Sequence, residues 1–73
     1  SGTIAISGLV TDADVKITDI AGNVVYSTKA DGGQAIWDGY DFNGNRAATG
    51  VYTVFSSDAT GNDTFVAKIL FVK

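Results

Sequence analysis

One spelling, Asp-x-x-Gly-Asn, occurs three times in this chain, at Asp19-Ile20-Ala21-Gly22-Asn23, Asp41-Phe42-Asn43-Gly44-Asn45 and Asp58-Ala59-Thr60-Gly61-Asn62. It constrains the fold more than any other feature. Asp at the first position and Gly at the fourth suit a type I turn that closes through a left-handed glycine, so Gly22, Gly44 and Gly61 are expected as structural residues. The separations are unequal, which points to one turn chemistry used three times and not to a sequence repeat. All eight acidic residues are Asp and none is Glu, and there is no Pro. The choice of Asp, a turn former, over Glu, a helix former, argues for many turns and little helix.

The segments between the turns bear this out by their alternation. Thr3 to Ser7 places Ile4 and Ile6 on one face, with Gly8 closing the strand, and Leu9 to Ala13 connects it onward. Asp14 to Thr18 places Val15 and Ile17 inward, and Val24 to Thr28 follows across the first Asp turn to complete a hairpin. Ala30-Asp31-Gly32-Gly33 reads as a flexible corner before a short strand over Gln34 to Trp37. Val51 to Ser57 and Thr64 to Val72 form a last hairpin. Phe55 points outward, because Tyr52 and Val54 claim the opposite parity.

The stretch Trp37 to Tyr52 holds the only Trp and four of the eight aromatics, and Trp37 is the expected core anchor. From Asp38 to Gly50 the chain is expected to leave the core, re-entering at Val51 after a glycine free to adopt positive φ. The final strand is apolar at both parities after Lys68. Residues Ile69 to Val72 are either covered on both sides, the plainer reading, or present an apolar surface to a partner.

With 73 residues and no cysteine, the chain is one domain, 1–73, near the lower size limit for independent folding. The absence of disulfides leaves the redox compartment open. A net charge of −3 has the wrong sign for nucleic acid or an anionic membrane surface, and no apolar run is long enough to span a membrane. With neither a start Met nor a secretory leader, the sequence reads as a module excised from a larger protein.

His, Cys and Glu are all absent, which removes the usual general bases, nucleophilic triads and soft-metal sites. Paired-Asp glycosidase chemistry could in principle use Asp38 and Asp41, but the chain is too short to wall a sugar cleft, so no catalysis is expected. Asp41, Asn43 and Asn45 place oxygens at the first, third and fifth positions of a calcium loop. Arg46 then stands where Gly is required and Tyr52 where a bidentate Glu is required, so no metal and no cofactor is expected. Tyr26, Tyr40, Phe42 and Phe55 would make a sugar-stacking platform only if several shared an exposed face.

The series Val15 to Val25, then Trp37-Asp38-Gly39-Tyr40-Asp41-Phe42-Asn43-Gly44, then Ala48-Thr49-Gly50-Val51-Tyr52, then a Lys-containing apolar tail, resembles the C-terminal sorting domains of the type IX secretion system of Bacteroidetes. The resemblance runs from about Ile4 to Lys73. It implies an all-β, immunoglobulin-like β-sandwich of about seven short antiparallel strands. It further implies a secretion signal at Gly50, Tyr52, Lys68, Ile69, Leu70, Phe71, Val72 and Lys73, exported from the periplasm to the outer-membrane surface or beyond. The implied partners are the outer-membrane secretion translocon, sortase-like attachment proteins and anionic lipopolysaccharide. A parent of the β-propeller surface type would keep the domain; other members lose it. Deleting Ile69 to Lys73 is expected to abolish the signal and leave the sandwich folded. The same core pattern is similar to the immunoglobulin-like domain of flagellar hook-capping proteins, which implies an assembly scaffold needing no particular ending.

Overall fold

The computed structural model describes residues 3–72, with side chains described throughout that range except at positions 63 and 64. Six strands form among them: β1 (Ile4–Ile6), β2 (Asp14–Thr18), β3 (Val24–Lys29), β4 (Ala35–Trp37), β5 (Gly50–Ser57) and β6 (Asp63–Phe71). There is no helix in the described chain. β1 and β4 pair antiparallel as one small sheet, and a second antiparallel sheet runs in the order β3-β2-β5-β6. The core lies between them, with Trp37 and Ala35 from one layer meeting Val15, Ile17, Tyr52, Val54 and Phe71 from the other. This is the expected all-β sandwich, one strand short of seven.

The missing strand is explained within 38–49. Among the described residues that connection forms one isolated β-bridge, Tyr40 with Arg46, and touches β3 through a single backbone hydrogen bond from Phe42 to Val25, because it is occupied by side-chain-capped turns. It also stays with the core it was expected to leave. Gly39 and Ala47 are buried, the Ala47 amide donates to the Gly39 carbonyl at 2.7 Å, and the Trp37 Nε1–H donates to the Tyr40 carbonyl at 3.0 Å.

The three Asp turns are built alike. In each, the Asp Oδ1 accepts two backbone amides: from Ala21 and Asn23, from Asn43 and Asn45, and from Thr60 and Asn62, all at 2.9 to 3.0 Å. The glycine amide of each turn then donates to the Asp carbonyl, and the glycine φ lies at +90°, +79° and +88° in turn. Two of them close the β2–β3 and β5–β6 hairpins, and both hairpins carry a register shift beside the turn, at Ile17/Thr18 and Ser56/Ser57. A glycine-closed turn that adds one residue to one strand produces this kind of bulge.

The corner at 30–33 is a defined tight turn and not a flexible link. Asp31 and Gln34 exchange two backbone hydrogen bonds, at 2.6 and 3.1 Å, across Gly32 and Gly33, both at positive φ. A two-residue loop of this kind needs left-handed residues at both central positions.

Candidate functional site

Tyr52 and Ile69 stand opposite one another on β5 and β6, as do Gly50 and Phe71, Val51 and Leu70, and Thr53 and Lys68. Folding thus gathers the expected signal residues, far apart in sequence, at one end of one hairpin. It does not leave them equivalent.

Directly opposed residues share a sheet face, and successive residues alternate. Along β6 the inward set is Phe65, Ala67, Ile69 and Phe71, and the outward set is Val66, Lys68, Leu70 and, beyond the strand, Val72. Phe71 is 2% exposed, whereas Leu70 and Val72 are 68% and 55% exposed. The plainer expectation, an end strand covered on both sides, is therefore corrected: only one parity is covered. Lys73 lies outside the described residues.

The seat of Phe71 explains its burial. Its ring centroid lies 5.1 Å from that of Trp37 and 6.2 Å from that of Tyr52, the latter edge to face, and Trp37 meets Tyr52 edge to face at 5.3 Å. These separations fall in the attractive range for ring pairs. Tyr52 is fixed in turn by its hydroxyl, which donates to the Ala48 carbonyl at 2.6 Å, a link four residues back of the kind that ties down immunoglobulin-like corners.

Two residues that sequence reasoning did not single out complete this seat. Gly39 has φ +84°, and a Cβ built there would stand 2.6 Å from the Phe71 ring, so only glycine admits the ring. Arg46 lies with its guanidinium carbon 5.4 Å from both the Tyr40 and the Phe71 ring centroids, stacked over each. Its Nη2 is buried without a hydrogen-bond partner. The sign for Gly39 was its place in Trp-Asp-Gly; nothing local marked Arg46. Gly50 departs from expectation: it is the first residue of β5, it is not among the positive-φ residues, and a Cβ there meets nothing within 4 Å.

The outer face around Leu70 is apolar with lysines. Phe55, 39% exposed as its parity requires, lies between Val66 on β6 and Lys16 on β2. Ile20, 91% exposed at the tip of the first Asp turn, reaches the same side. A shallow depression of about 640 Å³ is lined there by Ile20, Val51, Phe55 and Lys68, with Asp19 also at its wall. Tyr26 and Phe42 pair instead at 6.3 Å beside β3, so the four candidate aromatics do not form one stacking platform.

The electrostatics of the turns is local. Asn23 donating its backbone amide is the main cause holding the Asp19 carboxyl below the ordinary range, and the Thr60 hydroxyl is the main cause for Asp58. These oxygens serve the backbone of their own turns. Among the described residues no group of three or more Asp side chains converges as a metal site would require.

The fold has counterparts. The family model for the FlgD Ig-like domain matches residues 1–62, from before β1 through the turn after β5. The chain belongs to that family. It is also similar in structure to PorZ, a bacterial surface component of the type IX secretion system of Porphyromonas gingivalis. The TM-score is 0.78 at 30% sequence identity, over 94% of this chain and 9% of PorZ. The chain therefore spans less than a tenth of that protein's length. No curated protein matches it. The family match stops short of β6, and the segment it leaves out carries Lys68, Leu70 and Phe71.

Proposed function

We propose that this domain is a secretion and surface-attachment module of a type IX pathway, without catalysis of its own, and that its partner reads it folded. The observation that carries this reading is the split parity of β6. Phe71 closes the core while Lys68, Leu70 and Val72 face outward. A buried ring is unavailable to a translocon, so what is offered is the outward row, set in place by the inward one. An exposed apolar row on a small soluble domain is a common mark of a protein contact. Similarity to PorZ supports the secretion context and a location in the cell envelope or at its surface. The translocon, sortase-like proteins and lipopolysaccharide are the partners proposed for that setting.

A second reading rests on the family match alone. Residues 1–62 fit the FlgD Ig-like domain, and in a scaffold of that kind β6 would only complete the sheet. The two readings differ at Leu70. A reporter fused ahead of the domain, expressed in a bacterium with type IX secretion, should reach the surface with the wild-type sequence. It should be retained in the periplasm with Leu70→Glu or Lys68→Glu, while the purified variants keep the wild-type melting temperature. Retention of the wild-type fusion in the periplasm would refute the secretion reading and favour the scaffold, and undiminished display of both variants would refute the outward row as the surface that is read.

A further inference from the structure

The strand order β3-β2-β5-β6 leaves the sheet with two edges, and they are treated differently. At β3 the Phe42 amide donates to the Val25 carbonyl at 3.1 Å, and Phe42 packs on Tyr26, so the 38–49 connection covers part of that edge. At β6, among the described residues, nothing pairs on the side away from β5. Sheet edges are ordinarily blunted by shortness, proline, several charges or a covering segment. β6 has nine residues against the usual five or six, there is no Pro in the chain, and Lys68 is its one charge between Phe65 and Phe71.

We infer that β6 accepts an added strand along this edge, from an extended partner segment that alternates apolar side chains and sets a carboxylate beside Lys68. The inference rests on reading β6 as the recognised strand. Main-chain hydrogen bonds supply the affinity in such additions, and the alternate side chains supply the choice of partner. On the outer face the incoming strand meets Val66, Lys68 and Leu70 in succession, which calls for an apolar, an acidic and an apolar neighbour.

Charge selects the acid. Of the five basic residues, Lys16, Lys29 and Lys68 all stand on this face, as their opposed partners Phe55, Asp14 and Thr53 show. Lys29 is bound to Asp14 at 3.0 Å, while Lys16 and Lys68 form no ion pair among the described residues. The net charge of −3 arises mainly in the turns, of which Asp19 lines the depression with Lys68; exposed charges beyond about 8 Å are screened at physiological salt, so on this face Lys16 and Lys68 are set against Asp19, and the local sign is positive. A second copy of the chain fits less well. The twofold register that matches Val66 to Leu70 sets Lys68 opposite its own copy, and like charges directly opposed are unfavourable.

The test titrates the isotope-labelled 73-residue chain with two capped nonapeptides. Each alternates valine and threonine, one around a central glutamate and the other around a central lysine. The inference predicts resonance shifts across residues 65–70 and new hydrogen-exchange protection at the alternate amides there that point away from β5, with the glutamate peptide bound about tenfold more tightly. Lys68→Glu, an exposed substitution, should reverse that order. Absence of binding at millimolar peptide, protection at β3 instead of β6, or indifference to the central charge would overturn it. Sedimentation showing that the chain alone dimerises through β6 would also overturn it, by making a second copy the occupant. Because binding is read on purified chain, failure here combined with loss of display in Leu70→Glu would remove strand addition and leave the secretion module standing.

Discussion

Replacing Gly39 by alanine tests the seat of Phe71 with a built-in control. A left-handed backbone costs an L-residue about 1–2 kcal/mol, and Gly39 at φ +84° and Gly44 at φ +79° would both incur it. They differ in space. A Cβ at Gly44 meets nothing within 4 Å, whereas at Gly39 it lies 2.6 Å from one Phe71 ring atom and 2.7 Å from the next. The ring has little room to retreat, with Trp37, Tyr52 and Arg46 around it. Overpacking of this kind adds about 1–3 kcal/mol. Gly39→Ala should therefore cost about 2–5 kcal/mol. That is a large share of the roughly 4–11 kcal/mol expected for a chain of this size. Gly44→Ala should cost about 1–2 kcal/mol, from strain alone. Urea unfolding followed by Trp37 fluorescence would give both values. Adding Phe71→Leu to Gly39→Ala should then cost less than the separate effects summed, since the leucine removes the atoms that clash. Equal losses at Gly39 and Gly44, or strict additivity with Phe71→Leu, would refute the argument.

Tyr52→Phe removes the hydroxyl bond to Ala48 and should cost about 1 kcal/mol in the same unfolding assay; an unchanged midpoint would show that this tie contributes nothing. Asp19 and Asp58 have folded pKa values below their unfolded ones, so each lends stability that is present above the unfolded pKa and lost as pH falls through the folded one. Urea midpoints should accordingly drop as pH falls below about 4, and the drop should shrink in Asp19→Asn and Asp58→Asn. Leu70→Glu, on an exposed position, should alter stability by no more than about 0.5 kcal/mol while removing surface display, a combination that a core residue cannot give.

Much of the fold was legible because its signals are local. Alternation in Ile4/Ile6 and Val15/Ile17, the Asp-x-x-Gly-Asn turns and the outward parity of Phe55 each depend on neighbours within a few residues. The disposition of β6 was not legible. Residues 69–72 are apolar at both parities, and the turn before them carries a register shift at Ser56/Ser57, so counting from β5 does not say which parity faces in. The seat itself joins Gly39, Arg46 and Phe71 through contacts that exist only once the sandwich has closed. This also revises what a truncation would report. Removing residues 69–73 takes away Phe71, a core ring whose loss alone is expected to cost about 3–5 kcal/mol, so the shortened chain would lose much of its stability together with its signal and the two effects could not be told apart. Single substitutions on the outward row avoid that confusion.

Everything proposed for β6 depends on Phe71 facing in while Leu70 faces out. Solution NMR of the 73-residue chain with a soluble paramagnetic agent reads both at once. Strong broadening of the Leu70 methyls, none at Val54, and Overhauser contacts between the Phe71 ring and the Trp37 indole are the expected result. Protected Leu70 methyls with a broadened Phe71 ring would contradict it.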